Sequence, residues 1–122
     1  MYLENQTHIL DVDRISEMRE SLGAVALASL FGRFLKEGDG LLEHLLNPEI
    51  RREPLIDVIA VVHKVASSAA VLGTVEMHAH LQLMENVGKS EPSENLWKAA
   101  HELEPIWLRT KSSINESGFV IS

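Results

Sequence analysis

Residues 55–73 read LIDVIAVVHKVASSAAVLG. At about 100° per residue, Leu55, Val58, Ile59, Val62, Val65, Ala66, Ala69 and Leu72 fall on one broad arc, and Asp57, Lys64 and Ser68 fall opposite. That spacing predicts an amphipathic helix from about Leu55 to Leu72, ended by Gly73, with its arc turned to a helical core. His63 belongs to neither centre. It sits at the edge of the arc, roughly 80° round from Leu55, with Ile59, Ala66 and Ser67 one turn away and Ala60 and Ala70 close by. Small neighbours leave an imidazole unscreened. One ring nitrogen then stays available to a docking protein while the other can bond to a neighbour, and histidine is substantially neutral near pH 7. A single histidine at the edge of an apolar face is more often simply structural, so spacing alone leaves both readings open.

Working outward, the same helical period recurs on both sides, and no alternating strand pattern stands out. Ile15, Met18 and Leu22 mark a short helix with Asp11 or Asp13 as its N-cap and Gly23 as its stop. The stretch AVALASLFGRFLKEGDGLLEHLL, residues 24–46, follows with Leu27, Leu30, Phe31, Phe34 and Leu35, then Leu42, Leu45 and Leu46. Its EGDG centre predicts a kink or a division into two pieces, because each glycine costs ~1 kcal/mol relative to alanine in a helix. Asn47, Pro48 and Pro54 punctuate a connector. After Gly73, Thr74 is placed to cap a helix that Gly88 would stop, and KSEPSE reads as a linker with Ser90 or Ser93 as a cap. A last helix runs from about Glu94 to Asn115 with Leu96, Ala100, Leu103, Trp107 and Ile114 on one side. Pro105 is expected to kink it. Short connectors join antiparallel neighbours. The expected fold is therefore all-α, an up-down antiparallel four-helix bundle with a short additional N-terminal helix. It forms one domain over 1–122, with loose ends at about 1–8 and 117–122.

Composition narrows the function. The chain has 122 residues, 45% hydrophobic and 24% charged, and carries a net charge of −7. Eleven scattered Lys and Arg residues do not make the clustered basic surface that phosphate backbones need, which sets nucleic-acid binding aside. The absence of cysteine removes disulfides, thiolate nucleophiles and Cys-type zinc sites. No apolar run approaches the ~20 residues of a membrane span. The N-terminal MYLENQTHILDVDR lacks the basic start of a signal peptide. A cytoplasmic protein without membrane contact is expected, and nothing demands more than a monomer.

The stretch 63–73 resembles the histidine-containing phosphotransfer (HPt) domain family of two-component phosphorelays. In that family a histidine is followed by a lysine three positions on, a small residue at the fourth, further small residues, and a glycine at the tenth. Here His63 is followed by Ser67, Ser68, Ala69 and Ala70, with Gly73 at the tenth position. LMENVGKS supplies Glu85, Gly88 and Lys89 where the family's next helix carries an acidic or amide residue, a glycine and a basic residue. ILDVDRISEMRESLG and FGRFL also look like the family's opening, so the resemblance spans most of residues 9 to 116, though only 63–73 is specific. The departure is Ala66, where the family has its lysine.

The resemblance implies a phosphocarrier rather than an ATP-using kinase. His63 would be the phospho-acceptor, with Lys64, Ser67, Glu85 and Lys89 in support. Lys64 or Lys89 would replace the missing charge, Ser67 would preserve access or donate its hydroxyl, and Glu85 would orient the imidazole. Ile59, Ala60, Ala66 and Ala70 would form the docking surface around it. The implied partners are response-regulator receiver domains, with a hybrid sensor kinase as a further candidate. No cofactor is implied for this chain, because any Mg²⁺ belongs to the receiver's acidic pocket. The other reading is a non-catalytic helical interaction module, a degenerate relative that docks a partner without phosphotransfer; Ala66 is its main support.

Two further histidine motifs compete. AAHELEPIW, residues 99–107, is like the His-Glu-Leu box of sensor kinases, but Pro105 comes one position too early after His101. No residues remain for a nucleotide-binding domain either. In EMHAH, residues 76–80, a helix turns His78 and His80 about 160° apart, and Glu76 with His80 makes only two metal ligands. No hydrolase signature or glycine-rich phosphate loop is present.

Overall fold

The computed structural model describes residues 9–90 and 93–119. Over these it is all-helical: α1 (Val12–Leu22), α2 (Ala24–Leu46), a 3-10 turn (Pro48–Arg52), α3 (Leu55–Val71), α4 (Val75–Ser90) and α5 (Ser93–Ser117). The expected loose end at 1–8 lies outside the described residues, as do residues 120–122 of the one expected at about 117–122 and part of the KSEPSE linker, whereas Ser117 closes α5. Within that expected loose end Phe119 is held instead, stacked on Phe31 with ring centroids 5.4 Å apart.

The arc read on residues 55–72 is the face that packs. Val58, Ile59, Val62, Val65, Ala66, Ala69 and Leu72 are buried, as are Leu27, Phe31, Phe34, Leu41 and Leu45 of α2 and Leu96, Leu103, Trp107 and Ile114 of α5. Helix α3 packs on α4, α4 on α5, α5 on α2 and α2 on α3, with α1 against α2. No helix among the described residues is long and apolar enough to cross a membrane.

Local signals set several boundaries as expected. The Asp11 carboxylate accepts from the Arg14 N–H as an N-cap, and Gly23 closes α1 with φ of 90°. Helix α3 ends in a tight cap: Gly73 takes φ of 70°, the Thr74 N–H donates to the Ala69 carbonyl and the Gly73 N–H to the Ala70 carbonyl. These two bonds are those of a Schellman motif, and they satisfy carbonyls that a helix end otherwise leaves open. The Thr74 hydroxyl also donates to the Ala69 carbonyl, at 3.0 Å. It therefore closes α3 behind it as well as standing before α4.

Two positions read as helix breaks or stops lie inside helices, each because a tertiary contact outweighs local propensity. The EGDG centre does not divide α2, which is continuous through Gly38, Asp39 and Gly40. Gly38 is buried there because the Trp107 indole lies where a side chain would be, and Asp39 Oδ1 accepts from Trp107 Nε1 at 2.8 Å and from Lys111 Nζ at 2.8 Å. Gly88 does not stop α4, which runs on to Ser90; it is the point where Ile59 packs against the helix. Helix α5 is a single helix with Pro105 inside it, as the sequence reading has it.

The Asp39 contacts make a pH prediction. The Lys111 ammonium, with help from the Trp107 N–H and against the opposing pull of burial, holds the Asp39 carboxyl below its ordinary value. A depressed folded-state pKa gives stability that is complete above the unfolded value of ~3.9 and is lost as pH falls through the folded value. The Asp39 side chain is 55% exposed, so the pair contributes only ~0–1 kcal/mol. Lys111→Met should therefore remove this small contribution at neutral pH and leave stability below the folded value nearly unchanged, so that the acid limb of the stability curve flattens. Urea titrations at stepped pH check this; an unaltered acid limb would rule out the ion pair.

Candidate functional site

Helix α3 carries His63 on the shoulder between its buried arc and solvent, and α4 runs back beside it. Ile59 packs at Gly88, and His63 bonds to Glu85, so α3 and α4 are antiparallel and these two contacts lie one turn apart. His63 Nδ1 and Glu85 Oε2 are 2.9 Å apart; the histidine side chain is 68% exposed and the glutamate side chain only 12%. A carboxylate accepts, so the neutral ring holds its proton on Nδ1 and its lone pair on Nε2. The two ring nitrogens point in nearly opposite directions. Anchoring Nδ1 toward α4 therefore turns Nε2 away from the pair. The result is an accessible imidazole held in one tautomer by a largely buried acid.

Beside the pair lies a hollow of about 350 Å³ between α3 and α4. Helix α3 contributes His63, Ser67 and the methyls of Ala66 and Ala70, while α4 contributes Glu85, Gln82 and His78. The small residues after His63 leave this hollow unfilled. A second groove of about 290 Å³ adjoins at Ser67, between α3 and α2, and is lined in part by Arg33, Glu37 and Val71.

The remaining expected site residues are placed unevenly. Ser67 is exposed, but its hydroxyl donates to the His63 carbonyl at 3.0 Å, a bond within its own helix rather than one into the site. Lys64 is exposed and lies one residue, hence about 100°, round the helix from His63. Lys89 is exposed and stands one turn beyond Glu85 on the same face of α4. Among the described residues no hydrogen bond or ion pair joins either lysine to His63. The docking surface needs correcting: Ile59 and Ala66 are buried, since both lie on the arc that packs into the core, and only Ala60 and Ala70 are exposed. Ala66 reaches the hollow only as part of its lining.

His78 and Gln82 were not singled out for this site by sequence reasoning. The signal is their spacing with Glu85, at i, i+4 and i+7, which places the three on one face of a helix. That face gains meaning only once α3 is known to lie against it. The competing histidines separate cleanly. His80 is buried with Nε2 2.7 Å from the Ala99 carbonyl oxygen, which accounts for it as a structural residue. His101 lines a different hollow with Trp97 and Arg51. Among the described residues no group of three or more His, Asp or Glu side chains is arranged to hold a metal ion. No protein-family model, curated protein or solved structure matches the chain.

Proposed function

We propose that this chain is a histidine phosphocarrier of the HPt type, accepting a phosphoryl group on His63 from a receiver-domain aspartyl phosphate and passing it to another receiver. The observation that carries the reading is the pairing of His63 with Glu85: an exposed imidazole whose inner nitrogen is bonded to an acid. The proposed architecture is an up-down antiparallel bundle of α2–α5 with α1 as the additional helix. In its favour, the four long helices pack in a closed cycle, and Gly38 against Trp107 with Phe31 against Phe119 fits α2 antiparallel to α5.

The chemistry needs no proton relay. The Nε2 lone pair attacks phosphorus in line; the N–P bond forms as the bond from phosphorus to the aspartyl oxygen breaks, and the carboxylate leaves on the partner. The ring gains positive character while Nδ1 keeps its proton, and the Glu85 carboxylate stabilises both. Positioning and charge compensation dominate such transfers. The phosphorylated receiver supplies its own Mg²⁺, so this chain's tasks are to orient the imidazole and to admit the partner.

The test mixes the protein with a labelled phosphoreceiver. Acid-labile, alkali-stable label should appear on the wild-type chain and be absent from His63→Gln. Label that survives the substitution would overturn the assignment. The second reading, a docking module without transfer, is favoured by Ala66 and by the lack of any bond from Lys64 or Lys89 to His63. It predicts receiver binding that is the same in wild type and His63→Gln, with no label on either.

A further inference from the structure

We propose that Gly88 is a positioning residue for His63, setting the separation of α3 and α4 at which Nδ1 meets Glu85; its consequence for phosphotransfer rests on the phosphocarrier reading above. Gly88 lies inside α4, not at its end. A Cβ there would run into Ile59 Cδ1, with Ile59 Cγ1 at 3.0 Å and Leu96 Cδ2 at 3.6 Å. Turning Cδ1 aside does not clear the methyl, because Ile59 Cγ1, nearer the backbone, also stands at 3.0 Å and the side chain is packed in the core. Glycine here serves a close approach of two helices rather than an unusual backbone angle.

The contact and the site are mechanically joined. Ile59 is one turn before His63 on α3, and Gly88 is one turn after Glu85 on α4, so the pairs are adjacent rungs of the same antiparallel interface. Ordinary carbon contacts lie at ~3.5–4.0 Å, so a methyl at position 88 would push the helices apart by on the order of 1 Å. The His63–Glu85 bond is 2.9 Å long, and that displacement would carry it past the ~3.5 Å limit of a hydrogen bond. Freed of Glu85, the imidazole reverts to the tautomer that an isolated ring prefers, with its proton on Nε2. The lone pair then sits on Nδ1, facing α4. The same nitrogen that should attack is blocked by its own hydrogen.

Ring nitrogen chemical shifts of His63, measured by NMR on the intact chain at a pH where the ring is neutral, read the tautomer directly. Wild type should show the Nδ1–H form in excess. Gly88→Ala should lose that excess severalfold, and adding Ile59→Val, which removes Cδ1, should restore most of it. A loss of core packing alone would not produce a rescue by a smaller side chain, so the double variant separates positioning from stability. Retention of the wild-type tautomer in a folded Gly88→Ala would overturn the proposal. Should Gly88→Ala not fold, the double variant, which conserves carbon count at the contact, carries the test: a folded double variant without the Nδ1–H excess overturns it. The shifts need no receiver. A chain that shows the expected shifts but never takes label would keep Gly88's role and lose the phosphocarrier reading.

Discussion

Trp107→Ala is expected to lower unfolding free energy by about 3–5 kcal/mol, the range for deleting a fully buried tryptophan. The indole is 1% exposed, meets Phe34 edge-on with centroids 5.5 Å apart, and fills the space left by the missing side chain of Gly38. Its N–H is bonded to Asp39, and Lys111 Nζ stands 6.0 Å from its ring centroid. Replacement would leave a cavity bordered by α2 and α5 that two helices cannot readily collapse. A domain of this size holds roughly 6–18 kcal/mol in total, so a large fraction of its stability depends on one side chain. The thermal midpoint should fall by about 10–20 °C. Trp97→Ala provides the contrast, since Trp97 is 9% exposed and is covered on one side by the Arg51 guanidinium at 5.8 Å; its loss should cost less. Equal midpoints for the two variants would contradict the placement of Trp107 at the junction of α2 and α5.

The second large effect concerns Glu85. If His63 is the phospho-acceptor, Glu85→Ala should slow label transfer by roughly 10–100-fold, short of the ~10⁴-fold that a wrong tautomer costs in the serine-protease triad. The lesser figure follows from exposure. In the triad the imidazole is enclosed and has no alternative partner, whereas the His63 side chain is 68% exposed and water can bond to Nδ1 in place of the acid. Glu85→Gln should cost much less, because the amide oxygen can accept the same Nδ1 proton. Single-turnover transfer from a labelled receiver would measure both. Equal rates for Glu85→Ala and Glu85→Gln would show that the acceptor oxygen is not what matters at this position.

The helices and their buried faces were legible in the sequence because periodicity is a local property. The arc over residues 55–72, the Asp11 cap and the Gly73 stop need no knowledge of the rest of the chain. What was misread depended on contacts between distant segments. EGDG allows a kinked helix or a division when judged by propensity, and the division is excluded because Trp107 and Lys111, about seventy positions on, use Gly38 and Asp39. Gly88 has the composition of a stop and the role of a contact, which only Ile59 explains. The site divides the same way. His63 at the edge of its arc is a local reading, whereas Glu85 beside it is suggested only by the resemblance, and the structure joins the two by a hydrogen bond. The burial of Ile59 and Ala66 follows from their place on the apolar arc, which outweighs the docking role that their closeness to His63 suggests. His78 and Gln82 could not be linked to His63 until the register of α3 against α4 was fixed.

The tie between α1 and the α3–α4 turn has a kinetic consequence. Asp11 N–H donates to the Gly73 carbonyl at 2.8 Å, and Arg14 Nε to the Val71 carbonyl at 3.0 Å, across more than fifty intervening residues. By contrast, α3 meets α4, and α4 meets α5, through short connections whose closure costs little entropy. Local pairings of this kind form early, and long closures form after them. The hydrogen bonds of α1 should therefore be absent from the folding transition state. Severing them, as in Arg14→Ala, should hasten unfolding while leaving the folding rate nearly untouched. The N-terminal helix then acts as a latch on the duration of the folded state, fastened last and released first, on the hairpin that carries both His63 and Glu85.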